Sequence, residues 1–508
     1  MLLLILRLLA AAASGLSIYA SYEPLGWSWA APLGIALLYW ALQGRIGWKQ
    51  GLLVGIVQSL SLYLLLLPWV GEFVGNMPFW TLSGYLAIFS AVFGALSPAL
   101  LRRRLGWLQW IFVYVAIEWL RSDYPFGGFA WVRLAWGQIN SPLVWFAPYG
   151  GPALVTFVTL VCGVGLARSI QKAWTSRQLT AIFNKSLVLT LGVVVLAIAT
   201  QQLTQAQRPA DIGTTEVAAV QGNVPRMGLD FNAQRSAVLR NHTQETTAIA
   251  TDGIHPDFVI WPENSSDINP LTDTAAGVLI DDAANAVDAP ILVGTITRDD
   301  VGMRNTMLVW DPETGVGDYH YKKYLQPFGE WMPWRDFFRN FSELVDLAGD
   351  FQPGTGSGVV HIRTANTGQT IPVGISTCYE VAFDASGRDA VANGAQILTT
   401  PTNNATFGFT DMTYQQLAMS RFRAIELDRS VVVAATSGVS AMVDHNGTVL
   451  ADTRIFTPDY LVADMSLRDT TTFAVRYGTW IEYSFVILGA IGVLGLLWNR
   501  IALQRRSK

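Results

Sequence analysis

Glu263, Lys322 and Cys378 are polar residues at the ends of strand-like segments, the place where α/β folds present reactive groups. Glu263 follows Phe258-Val-Ile-Trp-Pro262, so a buried strand runs into a proline that stops it and a carboxylate is left at its end. Lys322 stands in Tyr319-His-Tyr-Lys-Lys-Tyr-Leu-Gln-Pro-Phe-Gly-Glu330, and Cys378 ends Ile371-Pro-Val-Gly-Ile-Ser-Thr-Cys-Tyr-Glu380. A carboxylate, an ammonium and a thiol are a sufficient set for acyl transfer. The Glu can take the thiol proton, the Cys can attack a carbonyl, and the Lys can hold the thiolate and the developing oxyanion. A free thiol ionises near pH ~8.5, so the nucleophile needs a neighbouring cation to raise its thiolate fraction.

The elements that must position these groups alternate in type. Glu216 to Val220, Asp257 to Trp261, Ala289 to Ile296, Asn305 to Trp310, Thr370 to Thr377, Gln396 to Thr400 and Ser430 to Ala435 are short and β-branched and read as strands. Asn232 to Ala250, Thr272 to Val287 and Tyr414 to Leu427 have amphipathic helical spacing. The pattern predicts an α/β layered domain. Pro312-Glu313-Thr314-Gly315 and Asp444-His445-Asn446-Gly447 read as hairpin turns. Gly354-Thr355-Gly356-Ser357-Gly358 follows no clear strand and opens no helix, which argues against a phosphate loop.

Around that domain the composition changes. The 508 residues are 51% apolar and 14% charged, with a mean hydropathy of +0.32, whereas soluble domains carry roughly 25% charge. Residues 203–479 hold 18 Lys+Arg against 33 Asp+Glu, a net −15; the flanks hold 16 against 5, a net +11. An acidic domain between basic flanks excludes nucleic acid as a partner, because phosphate recognition needs a basic face. Apolar runs near 2–22, 27–43, 51–70, 80–101, 107–120, 143–166, 187–202 and 481–498 predict about eight transmembrane helices. The expected domains are a seven-helix membrane domain (1–202), an extracytoplasmic domain (203–479), and an eighth span with a basic tail (480–508).

The positive-inside rule orients them. With the N-terminus in the cytoplasm, the cytoplasmic loops take Arg45, Lys49, Arg102, Arg103, Arg104, Arg168, Lys172, Arg177 and Lys185, and the tail adds Arg500, Arg505, Arg506 and Lys508. Only Arg121 and Arg133 fall in short loops on the other side. Both termini are therefore expected in the cytoplasm. A cleaved signal peptide at Leu2 to Ala12 is disfavoured by the further spans, and a transport path by intramembrane charge limited to Arg7, Glu118 and Glu482.

Other chemistry is weighed on the same residues. Of the two cysteines, Cys162 lies in the sixth span and cannot reach Cys378; a single thiol in an exported domain is unusual, although a buried cysteine can also be a small hydrophobe. Among His242, His255, His320, His361 and His445, only His320 sits in a strand-end motif, which disfavours a Cys-His pair; the five lack ligand spacing, so no metal and no cofactor is expected. Lys323 is expected to point away from Lys322 in extended chain and to be a solvated surface lysine.

The order Glu263, Lys322, Cys378, within Trp-Pro-Glu, Lys-x-x-Leu-x-Pro-Phe-Gly-Glu and Cys-Tyr-Glu, resembles the carbon-nitrogen hydrolase, or nitrilase, superfamily. With the flanking spans, the chain resembles along essentially its full length the membrane-embedded apolipoprotein N-acyltransferase family. Gln221-Gly-Asn223, Asn404 with Phe407-Gly408, Arg421-Phe-Arg-Ala-Ile-Glu426, Thr436-Ser-Gly-Val-Ser440, Glu118-Trp-Leu-Arg121 and Gly128-Phe-Ala-Trp131 add to the likeness. Thr406 and Ala130 depart from that family's Trp and Pro, and Leu229 and Asp230 stand where many members have a Trp. Those departures bear on acyl-chain or headgroup contacts.

The resemblance implies an α-β-β-α sandwich with a Glu263-Lys322-Cys378 triad. Cys378 would take an acyl chain from a membrane phospholipid, and the α-amine of a diacylglyceryl-modified apolipoprotein would take it from the thioester. The backbone N–H of Tyr379 would assist Lys322 at the oxyanion, Glu330 and Glu380 would support the site, and Asn404, Phe407, Gly408, Trp331 and Trp334 would contact substrate. The implied location is the bacterial cytoplasmic membrane, and a monomer is expected. Trp331-Met-Pro-Trp-Arg-Asp-Phe-Phe-Arg-Asn-Phe341 reads either as a mobile, membrane-facing lid or as a plain core segment. The competing functions are a membrane-anchored amidase or nitrilase acting on a soluble amide, and a non-catalytic lipid or lipoprotein carrier.

Overall fold

Long apolar runs coil into helices because a helix satisfies its own backbone groups where no water can. In the computed structural model, which describes residues 1–224 and 236–506, these are Leu2–Tyr19 (α1), Ala30–Leu42 (α2), Trp48–Leu66 (α3), Asn76–Leu101 (α4), Gly106–Asp123 (α5), Ala147–Ser176 (α6) and Lys185–Ala206 (α7). Leu229, Asp230, the start of the helix expected from Asn232, and Lys508 lie outside the described residues. Six helices among the described residues are long and apolar enough to cross a membrane: Leu2–Tyr19, Trp48–Leu66, Asn76–Leu101, Pro142–Ser176, Lys185–Ala206 and Phe473–Trp498; Ala30–Leu42 is apolar but shorter. The run expected from 143 begins instead as a 3₁₀ turn, Pro142–Phe146, capped by the Ser141 hydroxyl, and α6 is broken at Gly151, ahead of Pro152, which has no N–H to donate.

Contacts divide the chain into two units. One comprises Met1–Gly71, Gly75–Arg208 and the chain from Tyr477; the other comprises Glu72–Val74 and Pro209–Arg476. Inside the first, the buried charges of Glu118, Arg121, Arg133 and Glu482 have partners. Glu118 accepts from Thr156 Oγ1 at 2.7 Å and from the backbone of Leu134 at 2.9 Å, Arg121 donates to Tyr63 Oη at 2.6 Å and to the Val132 carbonyl at 2.8 Å, and Arg133 is bonded to Glu482. These bonds hold the irregular segment between α5 and α6 in place, so Glu118 and Glu482 have structural partners.

The second unit is built on two six-stranded sheets. Its strands are Gly213–Gln221 (β1), Phe258–Ile260 (β2), Ile291–Arg298 (β3), Met303–Asp311 (β4), Gly315–Tyr321 (β5), Val359–Arg363 (β6), Thr370–Ile375 (β7), Ile397–Thr402 (β8), Val431–Ala435 (β9), Ala441–Val443 (β10), Val449–Asp452 (β11) and Asp459–Leu467 (β12). The sheet orders are β12-β1-β2-β3-β4-β5 and β11-β10-β9-β8-β7-β6. The helices are Ala237–Thr251 (α8), Thr274–Val287 (α9), Arg335–Arg339 (α10), Asp384–Ala392 (α11) and Met412–Leu427 (α12), with Phe473–Arg506 (α13) closing the chain.

Three apolar layers result. Val217, Phe258, Ile260, Val360, Val373 and Val432 fill the space between the sheets. Leu239, Ile249, Ile280 and Ala284 cover the outer face of the first sheet beside Trp261, and Val391, Ala424 and Leu427 cover that of the second. The layers are therefore α-β-β-α. The parallel pairs β1-β2-β3 and β7-β8-β9 lie in the middle of each sheet, where both faces are covered, in keeping with their short, β-branched sequences.

Candidate active site

Glu263, Lys322 and Cys378 come together at the ends of β2, β5 and β7. Trp261 still pairs with Leu292 through its N–H at 2.9 Å, but Pro262 cannot donate, so the ladder ends and Glu263 leaves the sheet edge. Gly294 on β3 permits this exit. A Cβ there would lie 2.1 Å from the Pro262 oxygen and 2.8 Å from Glu263 Cα. Lys322 continues β5, its N–H bonded to the Asn305 carbonyl at 2.9 Å. Cys378 opens a 3₁₀ turn, Cys378–Ala382, after β7 and has φ +52°. A non-glycine residue there costs on the order of 1–3 kcal/mol of backbone strain.

All three side chains are buried. Lys322 Nζ donates to Glu263 Oε1 and to Glu330 Oε1, both at 2.9 Å. Asn305 Nδ2 donates to the same two oxygens at 2.7 and 2.9 Å. Glu263 Oε2 accepts the Asn403 N–H at 3.1 Å, and Glu330 Oε2 the Gln326 N–H at 2.7 Å. Glu380 Oε1 accepts from the backbone of Lys323 and Tyr324, and its Oε2 from Thr377 N at 2.7 Å.

Electrostatics departs from the expectation for the thiol. Burial first, then the charge of Glu263, pushes Cys378 up to about 12, and the opposing pull of Lys322 and a hydrogen bond with Thr402 does not offset them. Burial works against the Lys322 ammonium, yet Glu263 and then Glu330 hold its pKa well above the usual lysine value. Burial raises Glu330 despite Lys322. Glu380 is lowered: burial opposes its charge, but His320, Lys322 and the Tyr324 N–H outweigh it. The resting arrangement is thus a neutral thiol beside a charged carboxylate-ammonium pair.

The remaining expected residues are more dispersed in role. Lys323 turns away from Lys322 to Asp389 Oδ2, 3.0 Å distant, as strand alternation requires. Tyr379 follows Cys378 in its turn, its ring 5.1 Å from that of Phe383. Asn404 donates its amide to Thr413 and Gln416 and accepts from Thr402, so its side chain is buried and engaged with these residues. Phe407 ends the short turn Ala405–Phe407, and Gly408 follows with φ +59°. Trp334 is two-thirds exposed, and Phe337 and Phe341 are likewise exposed, whereas Trp331 is half-buried. His242 is deeply buried, with its pKa lowered to about 4 by burial, and His361 pairs with Asp318.

Asn305, Thr402, Asn403 and Gly294 were not singled out from the sequence. Asn305 was visible only as the first residue of a strand-like run, and Thr402 as a hydroxyl two residues beyond the expected end of another.

The family model described as "Apolipoprotein N-acyltransferase N-terminal domain" matches residues 14–165, and that described as "Carbon-nitrogen hydrolase" matches 216–475. The apolipoprotein N-acyltransferase of Mycolicibacterium smegmatis is 42% identical over 98% of this chain and 87% of its own length. That of Photobacterium profundum is 27% identical over 99% and 96%. Among solved structures, an amidase from Nesterenkonia sp. is 18% identical, covering 53% of this chain and 95% of that one with a TM-score of 0.36. The chain belongs to the apolipoprotein N-acyltransferase family, within the carbon-nitrogen hydrolases.

Proposed function

We propose that this protein transfers a fatty acyl chain from a membrane phospholipid to the α-amino group of the N-terminal diacylglyceryl-cysteine of apolipoproteins, with Glu263, Lys322 and Cys378 as its triad. The observation that carries this reading is a buried thiol under the charges of Glu263 and Lys322, which are themselves 2.9 Å apart, in a chain of this family. In the first half-reaction the Cys378 sulfur attacks the ester carbonyl while its proton passes to Glu263. Lys322 and the Tyr379 N–H stabilise the tetrahedral oxyanion. The carbon-oxygen bond to the glycerol then breaks, the leaving oxygen takes the proton from Glu263, and a lysophospholipid departs from an acyl thioester.

In the second half the acceptor amine attacks that thioester and gives up a proton through Glu263. The carbon-sulfur bond breaks to leave an amide and the thiol. Glu330 and Glu380 hold Lys322 and the turn of Cys378. The loop at Asn404, Phe407 and Gly408, and the aromatic segment at Trp331 and Trp334, face the lipid substrates in this reading. Exclusion of water favours aminolysis over hydrolysis of the thioester.

The membrane arrangement proposed is eight spans within 1–202 and 480–508, with residues 203–479 outside the cytoplasm of a bacterial cell and both termini inside. The Lys and Arg of the short loops support it. One chain supplies every group named, so the monomer is the proposed unit. A soluble-amide amidase is disfavoured, because both curated relatives named above are N-acyltransferases and the flanks are apolar. The test is intact-mass analysis of the detergent-solubilised protein with and without phospholipid. An increment of one fatty acyl chain on Cys378, absent in Cys378→Ala, is expected; no acylated species would overturn the reading.

A further inference from the structure

Four polar atoms at the site close a ring in which donors and acceptors alternate: Lys322 Nζ, Glu263 Oε1, Asn305 Nδ2 and Glu330 Oε1, with sides of 2.9, 2.7, 2.9 and 2.9 Å. The orientation of the amide is forced, because two carboxylate oxygens at these distances admit only the NH₂ end. Its Oδ1 is buried with no hydrogen-bond partner among the described residues. A buried carbonyl left unpaired is unfavourable, so the position keeps an amide for the sake of its two N–H groups.

The ring makes the two oxygens of Glu263 unequal. Oε1 receives two donors, one for each lone pair, and has none left for a proton in flight. Oε2 receives one, the Asn403 N–H at 3.1 Å. Asn403 follows Thr402, whose hydroxyl is hydrogen-bonded to the Cys378 thiol, so Oε2 is tied to the same strand end that meets the sulfur. We infer that Asn305 is a positioning residue that selects the proton-accepting atom: its amide, with Lys322, saturates Glu263 Oε1 and leaves Oε2 to take the proton of Cys378.

The same ring uses two of the three N–H bonds of Lys322 and leaves the third without a partner among the described residues, for the oxyanion. This inference rests on the proposed role of Glu263 as base. Without the amide, Glu263 and Glu330 lose hydrogen bonds that favour their ionised forms, and Oε1 regains a free lone pair.

The test follows the rate of Cys378 alkylation by iodoacetamide against pH in the full-length, detergent-solubilised protein, for wild type, Asn305→Leu and Asn305→Ser. Asn305→Leu is of similar size, has no N–H to donate and adds no charge beside the two carboxylates; Asn305→Ser retains a single donor and decides the matter if the first variant does not fold. The acidic limb of the profile is expected to move upward by roughly one pH unit in Asn305→Leu and by less in Asn305→Ser, with rates below the limb falling about tenfold. A wild-type limb in the folded variants, even with a lowered rate, would overturn the inference, since a merely structural role lowers the rate without moving the limb. The alkylation arm needs no phospholipid. A parallel acyl-thioester measurement on wild type therefore exposes a failure of the proposed function separately.

Discussion

Glu380 Oε1 accepts the backbone N–H of Lys323 at 2.7 Å, so the turn that begins with Cys378 is bonded to the strand end that carries Lys322. The same carboxylate takes the N–H groups of Tyr324 at 3.0 Å and Thr377 at 2.7 Å. One buried side chain thus fixes the residue before Cys378 and the two after Lys322. This accounts for the meeting of two segments 56 positions apart, which neither strand specifies alone.

Replacing Glu380 by Ala leaves three N–H groups without this acceptor, that of Thr377 buried and those of Lys323 and Tyr324 partly buried. At about 1–3 kcal/mol for each such group, incompletely additive, the expected loss is roughly 3–5 kcal/mol of stability and essentially all acyl transfer. Glu380→Gln keeps one acceptor and should retain most of the fold. The pKa of Glu380 is lowered in the folded protein, so its contribution is present above the ordinary carboxylate value near ~4.3 and is lost as pH falls through the folded value. Melting temperatures measured between pH 3 and 7 should therefore fall on acidification more steeply for wild type than for Glu380→Gln; parallel curves would contradict this account.

For Cys378, a pKa pushed up to about 12 means that the free thiolate is scarce at neutral pH. Alkylation by iodoacetamide should keep rising between pH 7 and 10, with no plateau near the ordinary thiol value of ~8.5. Glu263 is the second cause of the rise after burial. Glu263→Gln should consequently bring the alkaline rise to lower pH while abolishing acyl-thioester formation. A plateau near 8.5 in wild type would show that the thiol is not held neutral.

Gly294 offers a test that displaces Glu263 without changing the chemistry of any side chain at the site. A methyl at this position meets the Pro262 oxygen at 2.1 Å and the Asn264 nitrogen at 2.9 Å, backbone atoms on either side of Glu263. Gly294→Ala must push Glu263 out of its bond with Lys322. Displacements of about 1 Å cost on the order of 100-fold in rate, and acyl-thioester formation should fall at least that much. Alkylation of Cys378 should persist and shift to lower pH as the carboxylate charge withdraws. Wild-type thioester formation in this variant would refute the role given to the close approach.

How much of this was legible in the sequence depends on burial. Strands covered on both faces, such as β2, β3 and β9, read directly as β-branched runs. The nine-residue β12 did not, because Asp459, Asp464 and Ser466 interrupt it at the sheet edge beside β1. The short helix α11 was also missed, its apolar face being two residues, Ala390 and Val391. At the site, Glu263 and Cys378 stood out because each is a polar residue set against an apolar run, and Lys322 through the motif that follows the Pro312–Gly315 hairpin. Asn305 and Glu380 act through hydrogen bonds to residues far along the chain, and spacing carries no sign of those. The thiol was expected to need a nearby cation; Lys322 is within electrostatic reach, but the desolvation that accompanies burial outweighs it.

The segment after the lysine motif yields the last prediction. In α10, Arg335–Arg339, no residue is buried, while Trp334, Phe337 and Phe341 are all more than half exposed and in ring contact, 6.5 Å for the first pair and 5.3 Å for the second. Arg335 tethers the segment through the carbonyls of Val345, Ala348 and Gly349. The plain-core expectation therefore does not hold for these rings. Exposed aromatic area of this kind is unfavourable in water and favours a lipid surface. The triple substitution of Trp334, Phe337 and Phe341 to Ser is expected to slow acyl-thioester formation from phospholipid vesicles at least about tenfold, through a loss of roughly 0.5 kcal/mol or more per ring. It should leave iodoacetamide alkylation of Cys378 unchanged, because the soluble reagent needs no docking surface. Equal slowing of both reactions would mean that the rings support the site itself and not the approach of lipid.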